Sequence, residues 1–196
     1  TWKFPTGEYG SALFAGCWRK GRGRPVHAPV LHSVADHADE ASREALRSRL
    51  QEGSTHLSGQ WLRAPSEAVH APLLGGNLCV LASLCGTPWQ LDARGCVLLL
   101  EDIGEPPYKI DRLLWQLSTS GGLTGVLGVL LGEFTGSTPR IGAGEASWTV
   151  HEQLADLLAP LSCPVLAGVP VGHGTTNHTF AWGDTVHLTA EEVSVG

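Results

Sequence analysis

The chain has 196 residues, of which 42% are hydrophobic and 16% charged, enough apolar material for one sizeable domain or one domain and part of another. No apolar run approaches the roughly 18 residues of a membrane span. The net charge of −6 conceals an asymmetry: residues 1–24 hold five Lys/Arg and one Glu, whereas residues 25–196 hold eight Lys/Arg and eighteen Asp/Glu, and so acidic a body excludes a nucleic-acid surface.

The opening TWKFPTGEYGSALFAG has one lysine and a Gly-broken apolar stretch, a poor match to a secretory signal, so a cytoplasmic protein is expected. The basic CWRKGRGRP that follows reads as a solvated loop. Five scattered cysteines (Cys17, Cys79, Cys85, Cys96 and Cys163) form no Cys-x-x-Cys pair, which points to reduced core residues rather than a disulfide framework or a zinc knuckle. Residues 34–52 are polar and helix-prone, and residues 53–72, broken by Gly53, Gly59, Pro65 and Pro72, read as an extended connection. The domain boundary is placed there, giving units 1–60 and 61–196. VHAPVL from Val26 recurs as VHAPLL from Val69; two strands of similar make-up account for it.

GGNLCVLASLCG places Leu78, Leu81, Ala82 and Cys85 on one helical face, with Asn77 as its cap and Gly86 as its stop. The run VLLL (97–100) fits a strand buried on both faces that ends at Glu101. Ile110, Leu113, Leu114 and Leu117 follow the i, i+3, i+4, i+7 spacing of an amphipathic helix closed by Gly121 and Gly122. VLGVLLG (126–132) is a second buried strand, the stretch from Val150 to Leu161 a second helix, PVLAGVP a third strand, and TFAWGDTVHL a hairpin turning at Gly183-Asp184. The alternation predicts a mixed α/β domain.

Two features carry chemistry. In LLLEDIGEPPYKIDR, Glu101 stands at the C-terminal end of a buried strand, where open α/β sheets place their ligands, and a charge there needs a partner. In GVPVGHGTTNH, His173 lies between two glycines just past another strand; the glycines let the backbone turn sharply and leave the ring accessible. Singly, each has a plain alternative: a surface acid that ends a strand, or a loop imidazole bonded to a carbonyl. Together an acid and an imidazole at strand ends are the base and orienter that a nucleophile needs. The histidine pairs five residues apart (His27, His32, His37; His173, His178) do not match a helical metal pair, and no metal or cofactor is expected. The LLGGN glycines are not followed by a Gly-x-Gly-x-x-Gly, so no nucleotide fingerprint is formed.

The blocks GGNLCVLASLCGTPW, VLLLEDIGEPPYKIDRLLWQL, LGEFTGSTP and AGVPVGHG, in this order and spacing, resemble the murein tetrapeptide LD-carboxypeptidases and the microcin-immunity hydrolases of the same family. The resemblance runs from about Leu73 to about Leu188. It implies a C-terminal domain of the swivelling β/β/α type, preceded by the remnant of an amidotransferase-like α/β domain that would carry a nucleophilic serine. The family's acid falls on Glu101 and its histidine on His173. Glu105, the second acid of the block, lies in the following loop and is expected to cap that helix or pair with Arg112. The serine motif is altered: His27-Ala28-Pro29 looks like the block that follows it, and counting back puts Glu8 in the serine position, with Ser11 a three-residue slip away and no aspartate behind it.

The resemblance implies acyl transfer at the L,D-amide before a terminal D-alanine, on a muropeptide or peptide substrate and in a homodimer, as part of peptidoglycan recycling. Two alternatives remain open. The chain is then either a truncated, non-catalytic remnant or binding module, or an amidase acting on a peptide-nucleotide antibiotic.

Overall fold

A computed structural model describes residues 25–29, 38–138 and 149–196. Its elements in chain order are β1 (Val26–His27), α1 (Glu40–Gln51), β2 (Thr55–Leu57), β3 (Gln60–Arg63), β4 (Val69–Asn77), α2 (Leu78–Ser83), β5 (Val97–Ile103), α3 (Pro107–Thr119), β6 (Gly128–Thr135), α4 (Val150–Leu157), β7 (Val165–Ala167), β8 (Phe180–Ala181), β9 (Thr185–Leu188) and β10 (Val193–Val195). This is the mixed α/β architecture read from the sequence. Among the described residues no helix is long and apolar enough to cross a membrane.

Eight strands form one sheet in the order β2-β10-β9-β4-β5-β6-β7-β3, with β4 to β7 mutually parallel and the flanking strands antiparallel. The parallel strands are apolar because both faces are covered: Val97 to Leu100 on β5 and Val129 to Leu131 on β6 are fully buried. α2 packs on α3 and α3 on α4, and α3 turns Ile110, Leu114 and Leu117 into the core. Asn77 caps α2 as the sequence implies, its Oδ1 accepting from Val80 N at 3.0 Å. Thr149 and Glu152 close a capping box on α4. That helix stops at Leu157 rather than Leu161, and the Arg63 guanidinium binds the carbonyls beyond it, Ala159 O at 3.2 Å and Cys163 O at 3.1 Å.

Three further expectations are corrected. Residues 53–72 are not a featureless connection: β2, β3 and the start of β4 lie there, and both short strands join the eight-stranded sheet. TFAWGDTVHL does turn, with Asp184 N donating to Ala181 O at 3.1 Å, but its arms do not pair. β8 pairs with β1, and β9 inserts between β4 and β10, because Asp184 and Gly183 bond back to Leu73 on β4. Finally, β5 runs through Glu101 to Ile103, since Asn77 on β4 still pairs with Glu101 and β6 resumes beyond an irregularity.

Gly75 packs on β5 so closely that a Cβ would meet Leu99 O at 1.9 Å, and its φ of +143° is itself a glycine conformation. Gly75→Ala is expected to cost on the order of 3 kcal/mol or more, from strain plus overpacking. Gly53→Ala, at φ +78° with open space around it, is expected to cost only about 1–2 kcal/mol. Urea denaturation of the two variants checks the ordering, and equal losses would refute it.

Candidate active site

Glu101 owes its position to a defect in the sheet. Leu100 pairs with Leu131 but Asp102 pairs with Phe134, so β6 carries one extra residue opposite Glu101, at Gly132-Glu133. Such a bulge bends the strand and re-aims the side chains beside it. Gly132 makes the room: a Cβ there would lie 3.0 Å from Glu101 Cβ and 2.4 Å from Val171 O. Glu101 is not a surface acid. Its side chain is 6% exposed, and a carboxylate so placed must find a donor.

The donor is His173. Its Nδ1 lies 2.8 Å from Glu101 Oε2, and the ring stays one-third exposed. A carboxylate only accepts, so this bond requires the proton on Nδ1. The two flanking glycines do different jobs. Gly172 adopts φ +137° and a Cβ on it would stand 3.2 Å from Glu101 Oε2, whereas a Cβ on Gly174 would strike Glu133 Oε2 at 1.3 Å. Glu133 therefore packs its half-buried carboxyl against the histidine turn, and burial raises its pKa.

The turn is tied to segments far away in the chain. Asn177 Oδ1 accepts from Gly172 N at 3.2 Å and from His27 Nε2 at 2.8 Å. Asn177 N donates to Ser42 Oγ at 2.8 Å, and Thr176 Oγ1 donates to Asp39, the residue that caps α1. The Thr176 and Ser42 bonds hold the Asp39 carboxyl below its ordinary value. His27 stacks on Phe180 with centroids 4.9 Å apart, meets Trp182 edge-on, and feels the charges of Glu101 and His173; burial pushes its pKa down.

On the other side of Glu101, buried Asp102 accepts from Asn77 Nδ2 at 3.0 Å and from Cys79 N at 3.0 Å, which fastens the start of α2 to β5. Burial raises its pKa. Glu105 does not pair with Arg112. It binds Lys109 at 2.7 Å, one turn into α3, while Arg112 lies over the Tyr108 ring. The i, i+4 geometry favours the lysine, because Arg112 is a further turn away.

The two residues singled out in the sequence are thus brought together, and Glu105 stands apart with its own lysine. The structure adds His27, Asn177, Glu133 and Asp102 to the surroundings of this pair. His27 belongs to the His27-Ala28-Pro29 block and Asn177 to GVPVGHGTTNH, but nothing local marks either as a neighbour of Glu101. Ser11, His32 and His37 lie outside the described residues.

Comparison with known proteins adds an independent line. The model of the LD-carboxypeptidase C-terminal domain matches residues 70–188. The murein tetrapeptide carboxypeptidase of Pseudomonas aeruginosa is 34% identical over 173 residues, covering 83% of this chain and 55% of that protein. The crystal structure of a muramoyltetrapeptide carboxypeptidase from Oxalobacter formigenes superposes with a TM-score of 0.78 at 28% identity, covering 94% of this chain and 65% of that one. The microcin C7 self-immunity protein, in complex with aspartyl sulfamoyl adenosine, superposes at 0.77 with 20% identity over 98% of this chain and 66% of that one, a likeness of fold. The chain spans about half the length of the curated relatives it matches.

Proposed function

This chain belongs to the LD-carboxypeptidase family, a family of serine-type hydrolases, and on that premise we propose that Glu101 and His173 are the orienting acid and the general base of a serine LD-carboxypeptidase acting on murein peptides. The observation that carries the proposal is the 2.8 Å bond between a buried carboxylate late in β5 and a part-exposed imidazole in the loop after β7, on the C-terminal side of the parallel strands.

In this reading a serine Oγ attacks the carbonyl carbon of the L,D-amide while His173 Nε2 takes the serine proton. Glu101 holds the ring in the Nδ1–H tautomer and stabilises the imidazolium. The tetrahedral intermediate collapses, the C–N bond breaks, and Nε2 returns the proton to the departing D-alanine nitrogen. Water then attacks the acyl-enzyme with His173 again as base, releasing the shortened peptide and the serine. Residues 1–60 would belong with the nucleophile-bearing part of such an enzyme, and Ser11 is the serine to test first.

The test is mass spectrometry of the purified chain incubated with a muropeptide ending in L,D-linked D-alanine, beside His173→Ala. Release of D-alanine that the variant abolishes is the expected result. No release from a chain shown to be folded would overturn the hydrolytic reading and leave a binding module of the same family. Nothing in the site favours a peptide-nucleotide substrate over a murein peptide, and the microcin-immunity likeness is one of fold.

A further inference from the structure

The His173 turn carries few apolar anchors of its own, and what it has instead is a convergence of donors on one oxygen. Asn177 Oδ1 receives Gly172 N–H from within the turn and His27 Nε2–H from β1. A carbonyl oxygen has two lone pairs, so both bonds are made at once and the acceptor is fully used. His27 is in turn fixed by its stack on Phe180 and its edge contact with Trp182, both buried in the core. Gly172 is the residue immediately before His173, and its φ of +137° is a conformation that the chain does not hold without support.

We propose that Asn177 is a positioning residue: by joining Gly172 to His27 it locks the turn that presents the His173 imidazole to Glu101. The proposal rests on the Glu101–His173 reading given above and extends it, because it makes a residue of β1, 146 positions before His173 in the chain, part of what aims the ring. The backbone of Asn177 adds a second tie through Ser42 Oγ, but that bond uses the main chain and survives a change of side chain. Among the described residues the Asn177 side chain bonds through Oδ1, which sets up the test. Aspartate keeps an acceptor oxygen in the same place, whereas leucine keeps the volume and removes it.

The readout is the exchange rate with water of the His173 Nδ1–H proton, followed by NMR in the labelled full chain and assigned by its absence in His173→Gln. It reports the bond to Glu101 whether or not any peptide is cleaved. Asn177→Leu leaves Gly172 N–H unsatisfied and is expected to speed the exchange by about tenfold or more, while Asn177→Asp stays within about threefold of the parent. A purely structural asparagine would lower the melting temperature without this split. Asn177→Leu exchanging like the parent, Asn177→Asp behaving like Asn177→Leu, or a parent with no protected Nδ1–H would each overturn the proposal. Should the leucine variant fail to fold, His27→Phe keeps the ring stack and removes one donor; faster exchange there supports the clamp, and an unchanged rate overturns it. A chain that shows the expected pattern and releases no D-alanine would lose the hydrolytic reading and keep the clamp.

Discussion

Glu101→Gln is expected to lower the rate of D-alanine release by on the order of ten-thousand-fold, with little change in KM. The carboxylate is the partner of His173 Nδ1 at 2.8 Å, and it does two things that a carboxamide cannot do together. On the proposed mechanism it holds the Nδ1 proton, so that Nε2 serves as the base, and it opposes the positive charge that the ring would acquire from the serine proton. A glutamine that turns its N–H₂ toward the ring forces the wrong tautomer. One that turns its oxygen keeps the tautomer and loses the charge. Because Glu101 is nearly inaccessible, water cannot take its place. The measurement is kcat and KM for D-alanine release from the muropeptide, parent against variant. A kcat within about tenfold of the parent would remove Glu101 from the mechanism.

Asp184→Ala is expected to destabilise the fold by about 3–5 kcal/mol, a large part of the roughly 5–15 kcal/mol that holds a domain together. Arg49 on α1 reaches Asp184 at 2.6 Å, and the two side chains are 6% and 0% exposed. Asp184 also accepts from Ala181 N at 2.8 Å, which shapes the turn between β8 and β9, and Arg49 donates to Gly53 O. Removing the carboxylate leaves a buried guanidinium with too little to neutralise it. For a chain of this size the loss corresponds to a fall of about 6–20 °C in melting temperature. Replacing both partners with apolar residues, Arg49→Met with Asp184→Leu, is expected to recover much of it, since a buried pair is dear to break and often cheap to replace. Thermal and urea denaturation of the single and double variants decide the matter, and a single variant that loses less than about 1 kcal/mol would show the pair to be idle.

The elements whose signal is local were legible from the residues. The periodicity of Ile110, Leu113, Leu114 and Leu117 pointed to α3 and its inward face, of which all but the partly buried Leu113 are fully covered, and the unbroken VLLL pointed to a strand covered on both sides, as observed. The elements that depend on partners were not. β5 continues past the expected stop because its neighbours still offer hydrogen bonds at Glu101 and beyond. β8 and β9 look like a hairpin in the sequence and part company in space, because β4 already presents an open edge to β9. Glu105 chose Lys109 over Arg112 by helical spacing, a rule that could have been applied to the sequence alone.

For the site, the residues alone show which groups are available: an acid closing an apolar run and an imidazole between glycines, each a product of the local order of apolar, polar and glycine residues. That they meet is a matter of long-range packing. Glu101 and His173 are 72 positions apart, and their bond depends on the extra residue in β6 that turns the end of the sheet and on the side-chain space that Gly132 and Gly172 leave. The aim of His173 depends further on His27 and Asn177, 150 positions apart, joined through a register between β1 and β8 that no local pattern encodes. Periodicity is a property of neighbours in the chain, whereas a catalytic distance is set by the packing of segments that fold together from far along it.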